Sequence, residues 1–186
     1  DCQISMLNYM ATMHSMSGLI PEPIGNSHFV HMPYNTFRTK DFPIVIAAVG
    51  DQFWPRLLKI FKDPELKKSK FEKAFERQKN KEKIERILQK ELLNESSEYW
   101  LNELEKESVP CARVNNLEQA MNDEQIQYRN MLVDVVHPEG GSVKVPGNPI
   151  KLSSVENEQY SSPPLLGEHT KEVLQKWLNF SDEKLN

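Results

Sequence analysis

Only seven glycines and two cysteines occur in this 186-residue chain. No uninterrupted apolar stretch approaches the roughly 20 residues that a helix needs to cross a bilayer. The longest candidate, IVIAAV at Ile44–Val49, has the length of a strand, so the sequence offers no membrane span and reads as soluble. Cys2 and Cys111 fit no CxxC or Cys/His ligand spacing. They are read as reduced thiols of an intracellular, cytoplasmic protein, with a mitochondrial or peroxisomal setting open in a eukaryote and a single disulfide as the alternative. A basic excess is missing too: 27 acidic residues against 23 basic ones leave a net charge of -4, which argues against nucleic acid as a partner. There is no GxSxG, HExxH, P-loop or GxGxxG motif. There is also no cationic and apolar leader, and the opening Asp1 is expected to be a processing point or an artificial edge.

What remains is enough chain for one domain or slightly more, with a core of its own. Met6, Leu7, Met10, Met13 and Met16 recur at helical spacing before Gly18, a natural helix stop. This methionine stripe is read as a packing face rather than a binding groove. After an irregular stretch from Leu19 to Pro33, a strand is expected over Asn35–Thr39, a turn over Lys40–Phe42 and a strand over Pro43–Val49, the last buried on both faces. Gly50-Asp51 should end that strand and cap a helix carrying Phe53, Trp54, Leu57, Leu58 and Phe61, with Pro55 in its first turn.

From Asp63 to Lys83 charge dominates, with only Leu66, Phe71, Ala74 and Phe75 as anchors, and the segment reads as a solvated surface rather than a basic docking patch. Ile84, Ile87, Leu88 and Leu92 mark one packed helix, and Trp100, Leu101 and Leu104 a second, too short for a coiled coil. VPCARV resembles a strand, and Asn115–Met131 a helix broken near Asn122-Asp123. LVDVV and SVKV around HPEGG form a hairpin. A polar linker, Ser153–Pro164, precedes a final amphipathic helix with Val173, Leu174, Trp177 and Leu178 on one face. Helices and strands do not alternate regularly, which favours an α+β fold with a few-stranded sheet over a doubly wound one. The expected division is 1–24 as linker helix and loop, 25–152 as a small α+β domain, and 153–186 as linker and C-terminal helical segment.

Chemistry read residue by residue is meagre. His28 and His31 are spaced as HxxH but lack a nearby acid or cysteine in sequence, so loop hydrogen bonding is preferred to a metal site. His14 reads as a satisfied histidine on a helix side, and His137, before Pro138, as an exposed turn residue. Glu168, His169 and Thr170 sit where a helix starts. Glu168 there favours the positive helix end, and His169 has no evident nucleophile or second titrating group as a partner.

Four segments, in order, resemble the family III CoA-transferases, the superfamily of formyl-CoA and carnitine CoA-transferases and the α-methylacyl-CoA racemases. They are IGNSHFVHMPYNTFRTKDFPIVIAAVGDQFWPRL (24–57), VPCARVNNLEQAMNDEQIQYRNM (109–131), GNPIKLS (147–153) and PPLLGEHTKEVL (163–174). The last is the most specific. KDFP replaces the usual Asp-Gly turn of the first, which puts that hairpin in question.

The resemblance implies a C-terminal portion of such an enzyme: linker helix, small domain, and a final segment that returns to a Rossmann-like large domain. It implies an enzyme that moves CoA between carboxylic acids through an aspartyl-CoA intermediate, with CoA or acyl-CoA and an acceptor acid as substrates and no permanently bound cofactor or metal. It also implies an interlocked homodimer. The catalytic aspartate would precede Asp1, so no catalytic residue is expected in these 186, and the fragment alone should be inactive. By position in the motif, Gly25, Asn26, His28 and Tyr34 are the candidate substrate-binding residues, on a loop near the active site. Gly25 and Asn26 suit close approach to a thioester or carboxylate, and they suit a tight turn equally well. The rival readings are part of an α-methylacyl-CoA racemase, working by acid and base groups, and a non-enzymatic helical interaction module using 63–106 as its docking face.

Overall fold

The computed structural model describes residues 1–155 and 158–185. Glu156 and Asn157, in the expected linker, and the terminal Asn186 lie outside the described residues. The fold is α+β, and the chain divides into two compact units, Asp1–Val114 and Asn115–Asn186.

In the first unit the expected single helix is two, α1 (Cys2–Met6) and α2 (Tyr9–Ser17). Between them Asn8 adopts φ 47°, a region asparagine tolerates better than most residues. Gly18 ends α2 at φ 70° in the left-handed region, as its sequence position suggested. The methionine stripe corrects the packing expectation: Met6 is 81% and Met16 84% exposed, while Met10 and Met13 are only half-buried. The break at Asn8 turns one stripe into two short faces.

Strands β1 (Tyr34–Phe37), β2 (Ile44–Ala47) and β3 (Cys111–Arg113) form an antiparallel sheet in that order, with Ile46 opposite Asn35 on one side and Cys111 on the other. The central β2 is buried on one face only. Ile44, Ile46 and Ala48 are in the core, Val45 and Ala47 are half-buried, and Val49 is exposed, so burial on both faces is not found. The KDFP turn nevertheless closes a regular hairpin. Asp41 Oδ1 accepts from Thr39 Oγ1 (2.8 Å), Phe42 N (2.7 Å) and Ser97 N (2.7 Å), supplying from a side chain the order that an Asp-Gly turn takes from its backbone. The Ser97 and Phe42 amides hold the Asp41 carboxyl well below the usual carboxylate range.

A 3₁₀ turn, Asp51–Phe53, leads into α3 (Trp54–Ile60) with Pro55 in its first turn. Gly50 holds the N-cap position of this turn, and the Asp51 carboxylate receives the Arg77 guanidinium at 2.6 Å. That contact places one charged residue of the otherwise solvated 63–83 segment in the core, beside its expected anchors Leu66 and Phe71. Leu66 and Phe71 are buried in 3₁₀ turns, and Arg77, on α4 (Ala74–Lys79), is 1% exposed. Helix α5 (Lys81–Leu92) then buries Ile84, Leu88 and Leu92, and α6 (Ser97–Lys106) buries Trp100 and Leu104, the spacing the sequence displays. Ser96 caps α6 by accepting from Tyr99 N. Gln89 of α5 closes on the end of β1, donating to Arg38 O (2.7 Å) and accepting from Arg38 N (3.0 Å), so a free strand end is covered. Cys2 and Cys111 are both free thiols.

The second unit holds α7 (Leu117–Met121) and α8 (Glu124–Tyr128), separated where expected, with Asn116 and Asp123 as their caps. A two-stranded hairpin follows, β4 (Leu132–His137) paired with β5 (Gly141–Pro146). His137 is half-buried rather than exposed, because its Nδ1 accepts from the Glu139 and Gly140 amides across the turn (3.2 and 3.0 Å). Helices α9 (Thr170–Leu178) and α10 (Asp182–Leu185) close the chain. The apolar face of α9 is open, with Trp177 75% exposed. Trp177→Ala is therefore expected to change the stability of the isolated 186-residue chain by less than about 0.5 kcal/mol in chemical denaturation, as for a surface position. A larger loss would mean that this face is already packed.

Candidate functional site

The candidate residues lie on and beside the loop that leads into β1. Gly25 stands at φ 64° with nothing within 4 Å of a Cβ built on it, so backbone conformation rather than crowding selects glycine there. Asn26 Nδ2 donates to Thr36 Oγ1 on β1 (3.3 Å). His28 Nδ1 accepts from two amides of its own loop, Val30 N at 3.0 Å and His31 N at 3.2 Å. The imidazole therefore closes a turn in the manner of an Asx side chain.

Aromatic groups gather around that ring. His31 lies 4.6 Å from it, Tyr34 5.2 Å, and Tyr9 of α2 stacks at 6.1 Å. Burial, and then the neighbouring His31, hold the His28 pKa below its ordinary value. His28 and Tyr34 are thus brought into one cluster, while Asn26 is tied to the strand beside it. The HxxH pair makes ring and turn contacts, and no group of three or more His, Cys, Asp or Glu able to hold a metal occurs among the described residues.

Residues about 45 to 50 positions away hold the loop in place. Arg77 Nε donates to Met32 O (3.2 Å), and its Nη1 donates to Phe71 O and Glu72 O (both 2.8 Å). Its guanidinium carbon lies 5.1 Å from the Trp54 ring centre, within cation–π range. Next to it, Gln78 Nε2 donates to His28 O (3.5 Å). Ser27 Oγ and Gln78 Oε1 are buried without a hydrogen-bond partner among the described residues. Sequence reasoning missed Arg77 and Gln78, since one charged residue among many carries no local sign of burial.

Other groups are less suited to chemistry. The half-buried Cys111 thiol is pushed up in pKa by burial, the opposite of a nucleophile's environment. In the second unit a cleft lined by Tyr128, Arg129, Lys151 and Glu158 carries its own counter-charge: Glu158 accepts from Lys151 Nζ and Tyr160 Oη, both at 2.6 Å. Those two bonds keep its carboxyl ionised below the usual range. His169 occupies the N-cap position of α9 without a capping bond, its Nδ1 3.9 Å from Glu172. Glu168 instead accepts from Leu165 N at 2.7 Å, so the conspicuous Glu-His-Thr triplet is the local architecture of a helix start.

Residues 1–170 match the family model for CoA-transferase family III. The chain belongs to that family. Similar proteins include the human succinyl-CoA:glutarate CoA-transferase, 28% identical over 98% of this chain and 42% of that protein. A succinyl-CoA:mesaconate CoA-transferase of Haloarcula hispanica is 32% identical over 94% of this chain and 44% of that protein. A solved CAIB/BAIF family protein from Brucella suis superposes with a TM-score of 0.74 at 25% identity, covering 95% of this chain and 46% of its own. The chain thus spans less than half the length of these relatives. No helix among the described residues is long and apolar enough to cross a membrane.

Proposed function

We propose that residues 1–186 are the C-terminal portion of an acyl-CoA transferase that moves CoA between carboxylic acids. The observation that carries this reading is a family match over residues 1–170. In this reading 1–24 is the linker, 25–152 the small domain and 153–186 the returning segment of a homodimeric, cytoplasmic or organellar enzyme. No permanent cofactor takes part. An aspartate carboxylate outside these residues attacks the acyl-CoA carbonyl and expels the CoA thiolate, leaving a mixed anhydride. The thiolate then attacks the aspartyl carbonyl, releasing the first acid and forming aspartyl-CoA. The acceptor carboxylate repeats the two steps in reverse, so the aspartate is regenerated and no electron or proton is gained or lost.

Gly25, Asn26, His28 and Tyr34 contribute a loop beside the reacting thioester, and the Arg77 and Gln78 anchors supply the rigidity that a positioning loop needs. Glutarate and mesaconate, named for the relatives above, are dicarboxylic acids, which makes a dicarboxylate the first acceptor to assay. With succinyl-CoA as donor and an isotopically labelled dicarboxylate as acceptor, the 186-residue chain alone is expected to form no labelled acyl-CoA. A longer polypeptide that carries the preceding segment is expected to form it. Transfer by the isolated chain, with contaminating enzyme excluded, would refute the division of labour, and none by the longer protein with any carboxylic acid would refute the function.

A further inference from the structure

The His28 ring is used at one end only by the turn it closes. Two amides, Val30 N and His31 N, converge on Nδ1, so Nδ1 must present a lone pair, and the neutral ring must carry its proton on Nε2. A proton added at Nδ1 consumes that lone pair. The acceptor becomes a donor facing two further donors, and both bonds are lost together.

We propose that His28 is a positioning residue for the Gly25–Tyr34 loop that works only as the neutral Nε2–H tautomer, so that protonation at Nδ1 opens the turn and releases the loop. Burial, and then His31, favour the neutral state. From its own loop comes His31, at 4.6 Å, which repels a second positive charge. From α2 and the start of β1 come the rings of Tyr9 and Tyr34. From α4 comes the neutral amide of Gln78, donating to the His28 carbonyl, while the Arg77 guanidinium of the same helix is engaged by Met32 O and the Asp51 carboxylate. Because neutral His28 is favoured in the folded loop, the order it contributes is complete above the ordinary value of 6.5 and is lost as pH falls through its depressed pKa.

The loop's consequence for catalysis rests on the transferase reading; the turn itself does not. The test therefore has two arms. In the ¹⁵N-labelled 186-residue chain at neutral pH, His28 should show an unprotonated Nδ1. The Val30 and His31 amides, corrected for intrinsic rates, should exchange at least about tenfold faster once His28 is protonated, the equivalent of one lost hydrogen bond. His28→Asn places an amide oxygen near the Nδ1 position and does not titrate, so it should keep both amides protected at every pH. His28→Ala should expose them at every pH. An Nδ1–H tautomer at neutral pH, or His28→Asn losing protection as His28→Ala does, overturns the proposal, and the tautomer measurement needs no variant to fold. In the longer enzyme, His28→Asn should flatten the acid limb of kcat/KM, and an unchanged acid limb would remove the catalytic consequence. A longer protein with no transferase activity would instead sink the functional reading, leaving the amide measurements to decide the turn.

Discussion

Arg77→Ala is expected to destabilise the chain by about 3–5 kcal/mol, since it strands buried carbonyls at roughly 1–3 kcal/mol each. The guanidinium is 1% exposed and donates to Met32 O, Phe71 O, Glu72 O and the Asp51 carboxylate. Alanine leaves three backbone carbonyls short of a donor and opens a void against Trp54. Asp51 is 61% exposed on its side chain, so water can take over its charge, and Asp51→Asn should cost clearly less than the arginine variant. Arg77→Lys should fall between wild type and alanine, because one ammonium cannot reach carbonyls on both sides as a planar fork does. Urea denaturation with an unchanged m-value would measure this, and a loss below about 1 kcal/mol for Arg77→Ala would mean that the carbonyls find other donors.

Ile46→Ala should cost a comparable 2–5 kcal/mol, roughly the span for truncating a fully buried aliphatic side chain. Ile46 is 0% exposed and sits on the middle strand of the first sheet, between Asn35 and Cys111, where no edge can relax to fill the gap. Val45→Ala, on the half-buried face of the same strand, should cost less. Equal losses at the two positions would contradict the one-sided burial of β2.

Ile46 and Arg77 also mark what the sequence could and could not show. Ile46 is legible because IVIAAV has no polar interruption and lies between turn signals, although its length alone could not reveal that only one face would be covered. The helices over 81–92 and 97–106 are legible because their apolar residues recur at three and four. Arg77 is hidden: it shares its segment with lysines and glutamates that do face water, and its burial depends on the carbonyls of Met32 and Phe71 and on Asp51, which only the fold brings together. Asp41 is a similar case, since its role at the KDFP turn needs the Ser97 amide 56 residues away. The methionine stripe misled because periodicity reports a face, not what covers it. In the candidate site, the glycine turn at Gly25 could be read from residue type, and the HxxH spacing fits a loop contact. The anchoring of His28 by Gln78, and the stacking of Tyr9, join residues that no local pattern links.

The central claim is that this chain holds and shapes a CoA-transfer site whose nucleophile lies outside it. Incubating the longer protein with acyl-CoA, quenching, and mapping the CoA adduct by peptide mass spectrometry tests it most directly. The account predicts a CoA thioester on an aspartate preceding Asp1, discharged when acceptor acid is added. A CoA adduct on any residue from Asp1 to Asn186, discharged by acceptor at the rate of turnover, would contradict it.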